Sequence, residues 1–120
     1  MAEQTYTLLV VEDDKTIAEK VQEHLTQWGY LVVLATNFQD ILADVSACKP
    51  DLILMDITLP YFNGFYWCRE IRRMFKIPIV FLSSASDNMN IVMAMDMGGD
   101  DFIAKPFDLT VLTAKIGAII

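Results

Sequence analysis

Short apolar runs alternate with amphipathic stretches along this whole chain, and that alternation leaves few folds open. Thr7–Val11, Tyr30–Ala35, Asp51–Met55, Ile79–Leu82 and Phe102–Ala104 read as strands, because apolar runs bounded by turn signals suit a sheet buried on both faces. Between them, apolar residues recur at helical spacing. Ile17, Val21, Leu25 and Trp28 do so within Lys15–Trp28, and Phe38, Ile41, Leu42 and Val45 do so after Asn37. A third helix opens at Asn63-Gly64 and runs to about Phe75. A fourth starts at Asp87 and carries Ile91, Val92, Met93, Met95 and Met97, and a fifth carries Leu109, Leu112, Ile116 and Ile119. Asn37 and Asp108 are read as N-caps, while Gly29, Lys49-Pro50 and Gly98-Gly99 supply stops. The pattern is (βα)5, an α/β fold with right-handed crossovers and helices on both faces of a parallel sheet. Spacing alone leaves the strand order open.

With 120 residues and 54% hydrophobic content, one domain with a real core is expected. No apolar stretch approaches the roughly 18 residues of a spanning helix, so no membrane partner is expected. Met1–Thr5 lacks a secretory leader, which points to a cytoplasmic home. A net charge of −7 without a basic stripe disfavours direct nucleic-acid binding by this domain. Cys48 and Cys68 have neither disulfide nor metal-ligand spacing and read as small apolar fillers in a reducing compartment.

The chemistry sits where the strands stop. Leu8–Val11 runs into Glu12-Asp13-Asp14, Leu52–Met55 into Asp56, Ile79–Leu82 into Ser83-Ser84, and Phe102–Ala104 into Lys105-Pro106. Open parallel sheets bind ligands outside the carboxyl ends of their strands. Acids, a hydroxyl and an ammonium are therefore expected at one edge, a mixture suited to Mg2+ and a phosphoryl group. Asp56 can act as a nucleophile toward phosphorus. Ser84 and Lys105 can stabilise charge on the phosphoryl oxygens, with Ser83 competing for the hydroxyl role. Plainer readings stand beside these. Asp14 caps the first helix, Asp56 hydrogen-bonds its own Asp-x-Thr turn, and Lys105 is a solvated lysine.

Val10-Val11-Glu12-Asp13-Asp14, Leu54–Pro60 followed by Gly64, Ser84-Ala85, and Gly99–Phe107 come in an order and spacing that resemble the receiver domain of bacterial two-component response regulators. The similarity covers essentially all 120 positions. The Lys-Pro-Phe-Asp-Leu segment is similar to the winged-helix transcription-factor (OmpR/PhoB-like) subfamily. The resemblance implies a flavodoxin-like (CheY-like) strand order 2-1-3-4-5 and a cis Lys105-Pro106 bond. It implies Asp56 as phosphoacceptor for a sensor histidine kinase. It further implies Mg2+ held by Asp13, Asp56, the Thr58 carbonyl and, through water, Glu12, with Ser84 and Lys105 on the phosphoryl group. Ser84 and Phe102 would form the switch pair, and Thr58 and Ser86 would tune phosphoryl lifetime.

In the same subfamily the fourth helix, fifth strand and fifth helix pair two domains symmetrically. Asp101 and Lys115 would exchange charges across that two-fold axis. Ile91, Met95, Met97 and Val111 make this face more apolar than the subfamily pattern. A DNA-binding effector domain would lie C-terminal to Ile120, where this chain stops abruptly. Two other readings remain: a small Mg2+-dependent phosphohydrolase with an aspartyl nucleophile, and a receiver-like interaction module that needs no phosphorylation. Against the first, Thr58 stands where such enzymes place a second aspartate.

Overall fold

Parallel pairing fixes the architecture. The computed structural model describes residues 5–84 and 88–120. Its elements are β1 (Thr7–Val11), α1 (Lys15–Gln27), β2 (Leu31–Leu34), α2 (Ile41–Cys48), β3 (Leu52–Asp56), α3 (Gly64–Met74), β4 (Ile79–Ser83), α4 (Asn88–Asp96), β5 (Asp101–Ala104) and α5 (Leu109–Ile119). The strands form one sheet in the order β2-β1-β3-β4-β5, with every described pairing parallel. That is the flavodoxin-like order the resemblance implies. Ala85, Ser86 and Asp87 lie outside the described residues.

Alternation along each strand divides the interior into two cores. Leu9, Val11, Ile53, Met55, Ile79 and Phe81 pack against Ile41 and Val45 of α2, Phe65, Trp67, Cys68 and Ile71 of α3, and Ala94 of α4. Leu8, Val10, Leu52, Leu54, Val80, Leu82 and Ile103 pack against Val21 and Leu25 of α1 and Leu112 and Ile116 of α5. Each fully buried Leu, Ile or Phe contributes about 1.5–3 kcal/mol relative to exposure. Both faces of β1, β3 and β4 are apolar for this reason.

Side-chain caps start most of the helices. Asp14 accepts from the amides of Thr16 and Ile17, Asn63 from that of Tyr66, and Asp108 from those of Thr110 and Val111. The second helix departs from expectation. Its cap is Asp40, which accepts from the Ala43 amide at 3.2 Å. Asn37 instead closes a local turn onto the Gln39 amide, and its own amide is held by Asp44. Phe38 therefore packs on the core from outside the helix. Trp28 is also not a core residue. It follows the last turn of α1 and is 62% exposed, because Gly29 at φ +96° turns the chain there.

Arg72 ties the far end of the fold together. Its guanidinium donates to the carbonyls of Ile77 and Gly98 and pairs with Asp100 at 3.0 Å. Asp100 in turn accepts from the Ile79 amide at 2.8 Å. One side chain thus joins α3, the entry to β4 and the link between α4 and β5. Cys68 is fully buried and its thiol donates to the Met97 carbonyl; Cys48 is half-buried. Burial pushes both thiols above their ordinary range, as filler roles require.

Candidate functional site

Glu12 and Asp13 follow β1, and Asp56 ends β3, its neighbour in the sheet. Parallel register delivers them to one edge. Carboxylate oxygens of Glu12, Asp13 and Asp56 lie within 4.8 Å of one another. Glu12 and Asp56 are 5% and 4% exposed, while Asp13 faces solvent. Lys105, just beyond β5, reaches across the edge. Its ammonium donates to Glu12 Oε1 and, at 3.2 Å, to Asp56 Oδ2. The Lys105 amide donates to the Ser83 carbonyl at 2.7 Å, fastening the end of β5 to the end of β4. The Lys105-Pro106 peptide is cis, as the resemblance implies.

The remaining oxygens are also engaged. Glu12 Oε2 accepts from the Asp14 amide at 3.2 Å, and Asp56 Oδ1 from the Thr58 amide at 3.3 Å. The plainer reading of Asp56, a bond to its own Asp-x-Thr turn, therefore holds alongside the cluster. Asp14 is the helix cap, as its assignment requires. The plainer reading of Lys105 fails, because its side chain is only 14% exposed and is paired twice.

Charge in this cluster is out of balance. Burial pushes the Glu12 carboxyl above its ordinary value, and nearby Asp56 adds to the rise against the opposing Lys105 hydrogen bond. Burial alone would lower Lys105, but its bonds and charge pairing with Glu12 and Asp56 outweigh that and hold it above 10.5. Both groups thus bind protons more tightly than usual. Two buried carboxylates and an adjacent third share one ammonium, so the site is short of positive charge. Its donors are hard oxygens, the set a divalent cation such as Mg2+ takes.

A linkage prediction follows from Glu12. A carboxyl raised above its unfolded value stabilises the fold fully below about pH 4.5, and that contribution is lost as pH rises through the folded value. As pH rises above about 4.5, metal-free protein should therefore lose stability more steeply than Glu12→Gln. Urea unfolding across that rise checks it, and Mg2+ should flatten the wild-type slope. Identical slopes for the two proteins would contradict the assignment.

The other expected residues are placed as follows. Ser83 is fully buried in β4, whereas Ser84 is exposed. Ser84 and Lys105 share a cavity of about 440 Å3 with Ile17, Val21, Phe107 and Leu109. Thr58 is exposed beside Asp56. Phe102 is half-buried, lies opposite Phe81 in register, and packs against the α2–α3–α4 core.

On the face formed by α4, β5 and α5, Ile91, Met95 and Val111 are exposed, with Val92 beside them. Met97 is half-buried and packs on the core, as Met93 does. Asp101 and Lys115 pair within one chain at 3.1 Å, joining β5 to α5. Two contacts were not anticipated from the residue pattern. These are the Arg72 hub and a bond between His24 of α1 and Thr113 of α5 at 3.0 Å. Neither residue type announces a partner so distant in sequence.

The comparisons with known proteins agree with this geometry. The family model for the response regulator receiver domain matches residues 8–117. An uncharacterized transcriptional regulatory protein of Bacillus subtilis, YvcP, is 49% identical over 115 residues, covering 96% of this chain and 48% of its own length. The sensory transduction protein BceR of Halalkalibacterium halodurans is 45% identical, covering 96% of this chain and 50% of its own length. Among solved structures, the N-terminal domain of the nisin resistance regulator NsrR superposes with a TM-score of 0.88 at 55% identity, covering 98% of each chain. A two-component response regulator from Clostridium difficile gives 0.91 at 33% identity, covering 97% of this chain and 95% of its own. The chain spans about half the length of the curated relatives it matches. With the strand order, the edge cluster and these matches in agreement, the chain belongs to the receiver-domain family of two-component response regulators.

Proposed function

We propose that this chain is a phosphorylation-dependent switch in which Asp56 accepts a phosphoryl group from a phosphohistidine of a sensor histidine kinase. The observation that carries this reading is the Glu12–Asp13–Asp56 cluster at the carboxyl edge of the sheet, with its two buried members, Glu12 and Asp56, bridged by Lys105. An Asp56 carboxylate oxygen forms a bond to phosphorus as the bond from phosphorus to the imidazole nitrogen breaks, and the imidazole takes up a proton. The product is an acyl phosphate. Lys105 exchanges a carboxylate oxygen for a phosphoryl oxygen, and Ser84 donates its hydroxyl to another. Glu12, Asp13, Asp56 and the Thr58 carbonyl would hold Mg2+, which when bound supplies charge that offsets the carboxylates and the phosphoryl oxygens. The domain handles only its own phosphotransfer and hydrolysis, not an external metabolite.

Output is read as a homodimer formed through the face carrying Ile91, Met95, Val111, Asp101 and Lys115. Transcriptional control would pass through a DNA-binding domain C-terminal to this one, not through this acidic domain itself. The names of the relatives, which include a transcriptional regulatory protein, support that placement. No helix among the described residues is long and apolar enough to cross a membrane.

The test is incubation with acetyl phosphate, with Mg2+ or with a chelator. Intact mass and borohydride trapping of the acyl phosphate would follow. One Mg2+-dependent adduct that maps to Asp56 is expected, with a shift toward dimer in analytical ultracentrifugation. An adduct elsewhere refutes the acceptor, and a concentration-independent monomer in both states refutes the dimer.

A further inference from the structure

We infer that Gly64 is a positioning residue for the phosphoacceptor, an assignment that rests on the reading of Asp56 given above. Gly64 opens α3 and is buried. Its backbone is not in the left-handed region, which among the described glycines holds only Gly29 and Gly98. Conformation therefore does not call for glycine, and helix propensity favours alanine by about 1 kcal/mol. Space does call for it. A Cβ added at Gly64 would lie 2.2 Å from the Asp56 carbonyl oxygen, and 3.0 Å from both the Asp56 carbonyl carbon and the Ile57 Cα. All three are main-chain atoms that cannot swing aside as a flexible side chain would.

The contact is also bonded. The Gly64 amide donates to the Ile57 carbonyl at 2.8 Å, closing the loop between β3 and α3 onto its own start. Asn63 caps the same helix end through the Tyr66 amide at 2.9 Å. The first turn of α3 thus rests directly on the peptide that carries Asp56. That peptide sets where the Asp56 carboxylate points, and the Thr58 amide that steadies it lies two residues on. Restoring ordinary contact to an added Cβ requires about 1 Å of movement, and a displacement of that size costs roughly 100-fold in a reaction governed by positioning.

The experiment compares wild type, Gly64→Ala and Leu25→Ala with acetyl phosphate at saturating donor and Mg2+. Leu25 is a fully buried α1 residue in the opposite core, and its truncation supplies a loss of stability without contact to Asp56. Rates are expressed per folded molecule. The expected result is a rate about 100-fold below wild type for Gly64→Ala and within about three-fold for Leu25→Ala. Gly64→Ala within three-fold of wild type, or no slower than Leu25→Ala, overturns the inference.

If Gly64→Ala is unfolded in buffer, the measurement is repeated in trimethylamine N-oxide, which favours compact states. A folded but slow protein supports the inference, and recovery of the wild-type rate overturns it. A chain that stays unfolded there overturns it too, because the contact would then serve the fold and not the acceptor. Failure of the underlying reading looks different. Wild type would take up no phosphoryl group, or Asp56→Asn would take up as much, and the inference would fall with it.

Discussion

Asp56→Asn takes up no phosphoryl group from acetyl phosphate under conditions that label the wild type to completion. The amide has nearly the shape of the carboxylate, so the strand end and its turn are retained. It lacks the anionic oxygen that attacks phosphorus. Mg2+ affinity should fall by at least about ten-fold, since one of a few hard anionic donors is gone. Stability in metal-free buffer should change by no more than about 1 kcal/mol, because Lys105 keeps Glu12 and the repulsion between two buried carboxylates is relieved. Intact mass, calorimetric Mg2+ titration and urea unfolding read the three effects. Equal adducts on variant and wild type would remove Asp56 from the mechanism.

Lys105→Met has a larger effect on the fold. Methionine fills a similar volume but leaves side chains of Glu12 and Asp56, 1% and 6% exposed, without the ammonium between them. Breaking one partner out of a buried ion pair costs about 3–5 kcal/mol. A proton can take the place of that ammonium. The Glu12 carboxyl already sits above its ordinary value, and loss of Lys105 removes the main influence that lowers it. The variant should therefore lie close to wild-type stability near pH 5 and lose stability relative to wild type as pH rises to 8. Mg2+ should restore part of it at the higher pH. Phosphorylation should slow by about 10²–10³-fold, the usual cost of removing one donor aimed at developing charge. Equal destabilisation at both pH values would mean that packing, not charge, explains the loss.

Much of this was readable from residue order. Five apolar runs, four of them ending in Glu12-Asp13, Asp56, Ser83-Ser84 and Lys105, indicate both the sheet and the edge where chemistry gathers. Apolar periodicity records burial, and strand ends are where burial stops. The second helix was less legible, since Asn37 and Asp40 are both competent caps. The choice between them depends on Asp44, which holds the Asn37 amide from the following helix. Trp28 fits an amphipathic pattern yet lies just past the turn where the helix ends. Asp101 and Lys115 carry opposite charges in sequence, but only the fold shows them closing on each other. Most opaque was Gly64, whose importance is a 2.2 Å clash that exists only if a side chain is added.

The division of the interior into two cores has a consequence for how pairing errors are avoided. A strand with one wet face carries an inside-outside code, and a slip of one residue exposes its apolar side. β1, β3 and β4 carry no such code, because both faces are apolar. A shifted β3 would trade Leu54 for Met55 with little change in buried surface. Fidelity of alignment must come from groups that tolerate no exchange. The bond from the Thr7 amide to Asp51, the closure of Gly64 on Ile57, and the Lys105 amide on Ser83 are such latches. The first lies at the amino ends of β1 and β3, and the other two lie at the carboxyl ends, where the acidic cluster also sits. The residues that make the edge reactive therefore share it with those that keep the sheet in step, and changes there should produce misaligned chains as readily as inactive ones.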